Sequence, residues 1–165
     1  MAKQKEFIKL IQKNEGILFK ISGLYSDNVA DGKDLRQEMI YQLWKSYDTF
    51  KGLSKISTWI YKVCLNTGLV FIKKNNHVLM NVESIETLEE VFQLTDNYNS
   101  EFSDQILHLY QSIKKLNKIE RGIILLHLEG NSYQEISEIT GYTQSNVGTR
   151  LGRIKNKLTA LMQGK

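Results

Sequence analysis

Between Ser132 and Leu158 the chain has little freedom to be anything but two helices joined by a tight turn. Ser132, Tyr133, Gln134 and Glu135 fit a capping box. The serine hydroxyl accepts the backbone N–H three residues on, and the glutamate reaches back. A helix therefore starts near Tyr133, with Ile136 and Ile139 as its apolar side. Gly141 ends it, because glycine enters the left-handed region without a Cβ penalty. Thr143 is the N-cap of the next helix. There Val147, Leu151, Ile154 and Leu158 recur at i, i+4, i+7 and i+11, which is one face. Gln144, Ser145, Thr149, Arg150 and Arg153 lie opposite, and Thr143, Asn146 and Lys155 complete the candidate surface. From Thr143 to the last residue there is no Asp or Glu, while Arg150, Arg153, Lys155, Lys157 and Lys165 are present. A helix with polar residues first and cations later suits a DNA major groove, where base edges and phosphates are read together. A plain amphipathic hairpin with a solvated basic face is the alternative reading of the same residues.

Charge divides the rest. The net +4 of the 165 residues hides three blocks. Residues 1–74 carry 13 bases and 7 acids, residues 75–113 carry 7 acids and no Lys or Arg, and residues 114–165 carry 9 bases and 4 acids. Two basic segments thus flank an acidic one, the pattern of salt-sensitive phosphate binding. The single Cys64 excludes an internal disulfide framework and sits in an apolar helical run, as a small core residue does. The first residues read as an amphipathic, mixed-charge helix rather than a signal peptide, and no apolar run reaches membrane-spanning length.

With no proline in the chain, nothing forces a break in its long helical patterns. Periodicity predicts an all-α fold: two small helical domains, 1–75 and 101–165, joined by an acidic linker at 76–100. The first holds helices from about Lys5 to Ser22, Asp34 to Thr49 and Ser57 to Lys74. Asp27–Gly32 is read as a turn and Phe50–Ser54 as a loop. Buried positions expected in this half include Phe7, Leu35, Met39, Leu43, Trp44, Tyr47, Ile60, Val63, Cys64, Thr67 and Val70. Val82–Leu94 has the pattern of a transient helix within the linker. Helices from about Glu101 to Lys115 and Lys118 to Glu129 precede the pair described above.

Two runs in the first half carry a resemblance. Asp34, Leu35, Gln37, Glu38 and Trp44, then Thr58, Trp59, Ile60, Tyr61, Asn66 and Thr67, resemble the promoter-opening domain of bacterial RNA polymerase sigma factors of the extracytoplasmic-function (ECF) type. Leu116, Glu129-Gly130, Ser132 to Ile136, Gly141, Val147, Arg150-Leu151 and Arg153 resemble the domain with which that family reads the upstream (minus-35) promoter box. The two motifs stand in the family's order, and the resemblance spares only the linker. It implies a transcription initiation factor that is not an enzyme, needs no cofactor or metal, and works in the cytoplasm. The implied partners are core RNA polymerase, through the largest-subunit clamp helices and the flap, promoter DNA, and an inhibitory anti-sigma factor, with no membrane insertion.

Each implied role has a physical counterpart. Asp34, Gln37, Glu38 and Tyr41 form one polar stripe opposite a core face, where the family docks on the clamp helices. Trp59, Lys62, Asn66 and Lys73 share a face of the following helix; aromatics beside cations suit unstacked single-stranded DNA. Trp59 serves equally well as simple core. Lys51, Ser54 and Lys55 lie in the loop that corresponds to the family's pocket for a base flipped from the downstream (minus-10) box. The acidic linker reads either as a nucleic-acid mimic threading into the polymerase or as a tether that sets spacing. Three departures stand out: Val70 replaces the family's usual Asp, Gly148 and Gly152 occupy recognition-helix positions that usually bear larger side chains, and Asn117 stands where proline is common.

Rival readings are weaker. A stand-alone helix-turn-helix regulator that binds duplex DNA without polymerase leaves the Asp34–Lys74 pattern unexplained. A nucleic-acid enzyme lacks a signature, since His77, His108 and His127 have no metal-ligand spacing and no phosphate-binding or nucleophile motif occurs.

Overall fold

The computed structural model describes residues 1–75 and 100–164. All regular elements among them are helical. They fall into two compact units, with the division at Thr95/Asp96. The expectations for the acidic linker and its transient helix lie outside the described residues, as does His77.

Among the described residues the first unit has four α-helices: α1 (Ala2–Lys13), α2 (Glu15–Tyr25), α3 (Val29–Ser46) and α4 (Ile56–Asn75), with a 3-10 turn at Tyr47–Thr49. α2, α3 and α4 pack on one another around Ile21, Leu24, Leu35, Met39, Leu43, Ile60 and Cys64, all of them fully buried. α3 and α4 pack against each other, which leaves each with an outward face.

Three sequence expectations need correction here. The single helix expected over Lys5–Ser22 is two. Asn14 interrupts it with φ −115° and ψ 18°, and its side-chain amide donates to the Leu10 carbonyl at 2.9 Å. An Asn side chain that satisfies its own helix's last carbonyls competes with continued helix, and Gly16 just after it adds little in favour of continuation. The turn expected at Asp27–Gly32 is confined to Asp27 and Asn28, and from Val29 the chain is helix: Asn28 is the N-cap, with its Oδ1 accepting from Asp31 N–H at 2.7 Å. α3 therefore starts five residues before Asp34. Val70, expected inward, is 53% exposed on α4, while Ile60, Cys64 and Thr67 are buried as expected. Val63, Trp44 and Tyr47 are only half-buried. The two rings are instead part of an aromatic row on which Phe7 of α1 closes, with centroids 5.0 Å from Trp44 and 5.3 Å from Tyr47.

The second unit comprises α5 (Ser100–Lys114), α6 (Lys118–Leu128), α7 (Tyr133–Thr140) and α8 (Gln144–Gln163). The core is Ile113, Ile123, Leu125, Leu126, Ile136, Val147, Leu151 and Ile154, with Leu158 at its margin. The apolar register expected for the last helix is thus the buried face. Each start signal also acts as expected. Glu135 N–H donates to Ser132 Oγ at 3.1 Å and Ser132 N–H to Glu135 Oε1 at 2.9 Å. Thr143 Oγ1 accepts from Asn146 N–H at 3.1 Å, and Gly141 has φ +85°.

Asn117 turns out to have a structural task. It caps α6 in a second capping box, with Glu120 N–H donating to Asn117 Oδ1 at 2.9 Å and Asn117 N–H to Glu120 Oε1 at 3.2 Å. That reciprocal pair starts the helix where a proline would otherwise do so. The other oxygen of Glu120 receives Lys157 Nζ at 2.7 Å and ties α6 to α8.

Candidate functional site

The second unit presents α8, the helix expected to read DNA. Because Val147, Leu151 and Ile154 face inward, the opposite face is forced outward. Thr143, Ser145, Asn146, Thr149, Arg150 and Arg153 line one polar concavity of about 440 Å³ at its N-terminal half. All six were expected at this surface; Gln144 and Lys155 are exposed but do not line it. Lys155 sits instead toward α6, where its charge, after burial itself, holds the His127 imidazole below its ordinary pKa. Lys157 is engaged by Glu120, so the row of positive charge on α8 is shorter than the sequence suggests.

Within the concavity one cation is seated. The Arg150 guanidinium lies 4.1 Å from the Tyr142 ring centroid, and its Nε donates to Asn146 Oδ1 at 2.7 Å. Arg153 is exposed one turn further on. Tyr142 was missed by sequence reasoning. The only signal was an aromatic inside the Gly-x-Thr turn, which periodicity does not weigh. Tyr133 belongs here too. Its ring lies over Gly148, where an added Cβ would come within 3.3 Å of it; Gly152 faces open space. The two glycines thus differ: one accommodates a ring, the other does not.

The first unit presents α3 and α4. Asp34, Gln37, Glu38 and Tyr41 are all exposed, as the stripe requires. The stripe runs between two grooves. Asp34 and Glu38 line one of about 760 Å³ against α4, shared with Asn66, Val63, Val70 and Phe71. Gln37 lines another of about 320 Å³ against α1 and α2, beside Arg36 and Ile40. Asn66, read from sequence with the single-strand surface, therefore faces the same groove as two residues expected to dock on polymerase. Lys62 and Lys73 are exposed on α4 outside that groove.

Trp59 is half-buried, with Phe50 at 5.2 Å and Tyr47 at 6.3 Å between ring centroids. It continues the aromatic row that begins at Phe7 and runs on to Phe50, so one part of it is packing and the rest is accessible surface. The adjoining loop leaves Lys51 and Lys55 exposed and Ser54 half-buried, and Gly52 turns it with φ +73°. Leu53 at its tip is 93% exposed, an apolar side chain between two lysines that sequence reasoning passed over. No group of three or more metal-ligating side chains occurs among the described residues, and none of their helices is long and apolar enough to cross a membrane.

Comparison with known proteins agrees with this layout. The family description "Sigma-70 region 2" matches residues 10–78 and "Sigma-70, region 4" matches residues 106–158, one per unit. The RNA polymerase sigma factor SigV of Bacillus subtilis is 31% identical over 140 residues, spanning 82% of this chain and 78% of SigV. The ECF RNA polymerase sigma-E factor of Haemophilus influenzae is 26% identical, spanning 96% of this chain and 90% of its own. The solved sigma factor RpoE of Bartonella quintana, in complex with the anti-sigma factor NepR, shares the fold with a TM-score of 0.73 at 17% identity, over 98% of this chain and 99% of that one. Both units are accounted for, which does not favour a stand-alone duplex-binding regulator. The chain belongs to the extracytoplasmic-function sigma factors, the transcription initiation factors that direct bacterial RNA polymerase.

Proposed function

We infer that the chain divides a sigma factor's work between its two units as follows. The α3 stripe of Asp34, Gln37, Glu38 and Tyr41 docks on the polymerase clamp helices. The Lys51–Lys55 loop with Trp59, Lys62, Asn66 and Lys73 captures the opened downstream box. The α8 concavity reads the upstream box as duplex in the major groove. The observation that carries this reading is the one-sided charge of α8: from Thr143 onward it has no carboxylate and holds Arg150 and Arg153 at its N-terminal half, whereas the exposed face of α3 mixes Asp34 and Glu38 with Lys33 and Lys45. DNA attracts the first surface, and the mixed polar face of α3 suits a protein partner. Polymerase supplies all the phosphoryl chemistry, so the chain works without catalysis or cofactor, in the cytoplasm where polymerase is. An anti-sigma factor is the expected restraint, since the RpoE relative is seen with one.

The test is charge reversal on α3. Asp34→Lys with Glu38→Lys is expected to weaken association with core enzyme by tenfold or more, on the order of the 1.4 kcal/mol that tenfold represents. Both side chains are exposed, so the fold should stand. Unaltered core affinity of the double variant would remove α3 from the docking surface.

A further inference from the structure

We propose that Tyr142 and Asn146 are positioning residues that preset Arg150 as a guanine-reading fork in the upstream box. The inference rests on the duplex-reading role of α8 proposed above. Four observations carry it. First, an arginine has five N–H donors, and Arg150 gives its Nε–H to Asn146 Oδ1 at 2.7 Å. That bond does not use the two Nη groups, which are the ones that bracket guanine O6 and N7. Second, the guanidinium is seated on the Tyr142 ring, 4.1 Å from its centroid, a contact that restricts where the fork can stand.

Third, Tyr142 is itself held. Its carbonyl accepts from Ser137 Oγ, and its N–H donates to Thr140 Oγ1 at 3.3 Å, so the turn between α7 and α8 sets where the ring stands. Fourth, side chains on a helix lean toward its N-terminus, and Arg150 leans back to Asn146, one turn closer to the end that meets base edges. The concavity around it is polar and exposed, lined by Ser145 and Thr149. A fork already fixed loses little rotamer freedom on binding, and a wrong base leaves it unpaired; both effects favour selectivity over general affinity. Asn146 thereby changes role, from a base reader in its own right to the residue that aims Arg150.

The experiment is selection of promoters from a library randomised over the upstream box, by holoenzyme reconstituted from core polymerase and the full chain. Arg150→Ala is expected to flatten a guanine preference at one position by about 5- to 140-fold, the equivalent of ~1–3 kcal/mol at 1.4 kcal/mol per tenfold. Tyr142→Ala and Asn146→Ala should weaken preference at that same position by about threefold or more. Adding either to Arg150→Ala should change nothing further there. Tyr142→Phe keeps the ring and should keep the preference. Asn146 is exposed, so its variant tests the idea even if Tyr142→Ala perturbs the turn. If Arg150→Ala relaxes the position but Asn146→Ala and Tyr142→Ala lower binding evenly across all sequences, or act additively with it, the positioning role is overturned and the duplex-reading role stands. If Arg150→Ala lowers all sequences evenly with a shallower salt slope, Arg150 holds a phosphate and the inference falls. If Arg150→Ala leaves selection unchanged, both the inference and the reading of α8 at this residue fail.

Discussion

At the scale of single residues, glycines show how the recognition unit divides stability from function. Gly141 adopts φ +85° with its N–H on the Ser137 carbonyl at 2.8 Å, a conformation that disfavours any Cβ. Gly141→Ala should destabilise the chain by about 1–2 kcal/mol in chemical denaturation. Gly152 has ordinary helical geometry and nothing within 4 Å of an added Cβ, so Gly152→Ala should stabilise by about 1 kcal/mol. If the alanine variant gains stability yet loses promoter binding, the backbone at Gly152 lies close to DNA. A loss of stability in Gly152→Ala, or none in Gly141→Ala, would contradict the backbone account of these two positions. Gly148 falls between them, because a Cβ there must displace the Tyr133 ring, which is 43% exposed and able to move. Cys64, by contrast, is a plain core residue: burial pushes its thiol pKa up, well away from a reactive thiolate.

At the scale of elements, α3 and α4 pose the harder problem, since they bring two proposed functions to one groove. Asp34 and Glu38 share it with Asn66, while Lys62, Lys73 and the Lys51–Lys55 loop stand outside. If the single strand is captured by that outer surface, Lys62→Ala with Lys73→Ala should still bind polymerase and form the closed complex. Permanganate-reactive thymines in the promoter bubble should fall, and a pre-melted promoter should partly restore transcription. Leu53→Ser belongs in the same series, because at 93% exposure it has almost no packing to lose. Normal bubble formation in both variants would leave the first unit as a docking module alone.

The same two helices show what was legible in the sequence and why. The inward faces were: Leu35, Met39 and Leu43 on α3 and Ile60 and Cys64 on α4 follow helical spacing and are buried. So was the turn between α7 and α8, since Ser132, Gly141 and Thr143 act through neighbours three or four residues away. The break at Asn14 and the early start of α3 at Asn28 were not. Each is decided by one asparagine side chain choosing a backbone partner, which a period does not encode. The Arg150–Tyr142 contact spans a non-helical turn, so its eight-residue separation has no meaning until the turn is built. Val70 lies on the same side of α4 as Val63 and Thr67, along the α3 groove, yet is 53% exposed; periodicity gives a face, not how far a neighbouring element covers it.

At the scale of the whole molecule, two units of separate fold serve a single task only if both meet the same polymerase and the same promoter. The charge blocks fit that arrangement, with net positive residues 1–74 and 114–165 on either side of the acid-rich 75–113. Cationic surfaces on both units make promoter engagement steeply salt-dependent. The most direct measurement is in vitro transcription by core enzyme on a genomic fragment library, with and without the full chain, with start sites mapped by sequencing of 5′ ends. The chain is expected to create discrete new start sites that share an upstream box and a downstream box at a fixed separation, and to lose them as salt rises. Transcription unchanged by the chain, with the chain nonetheless binding duplex DNA by itself, would contradict its action as a sigma factor.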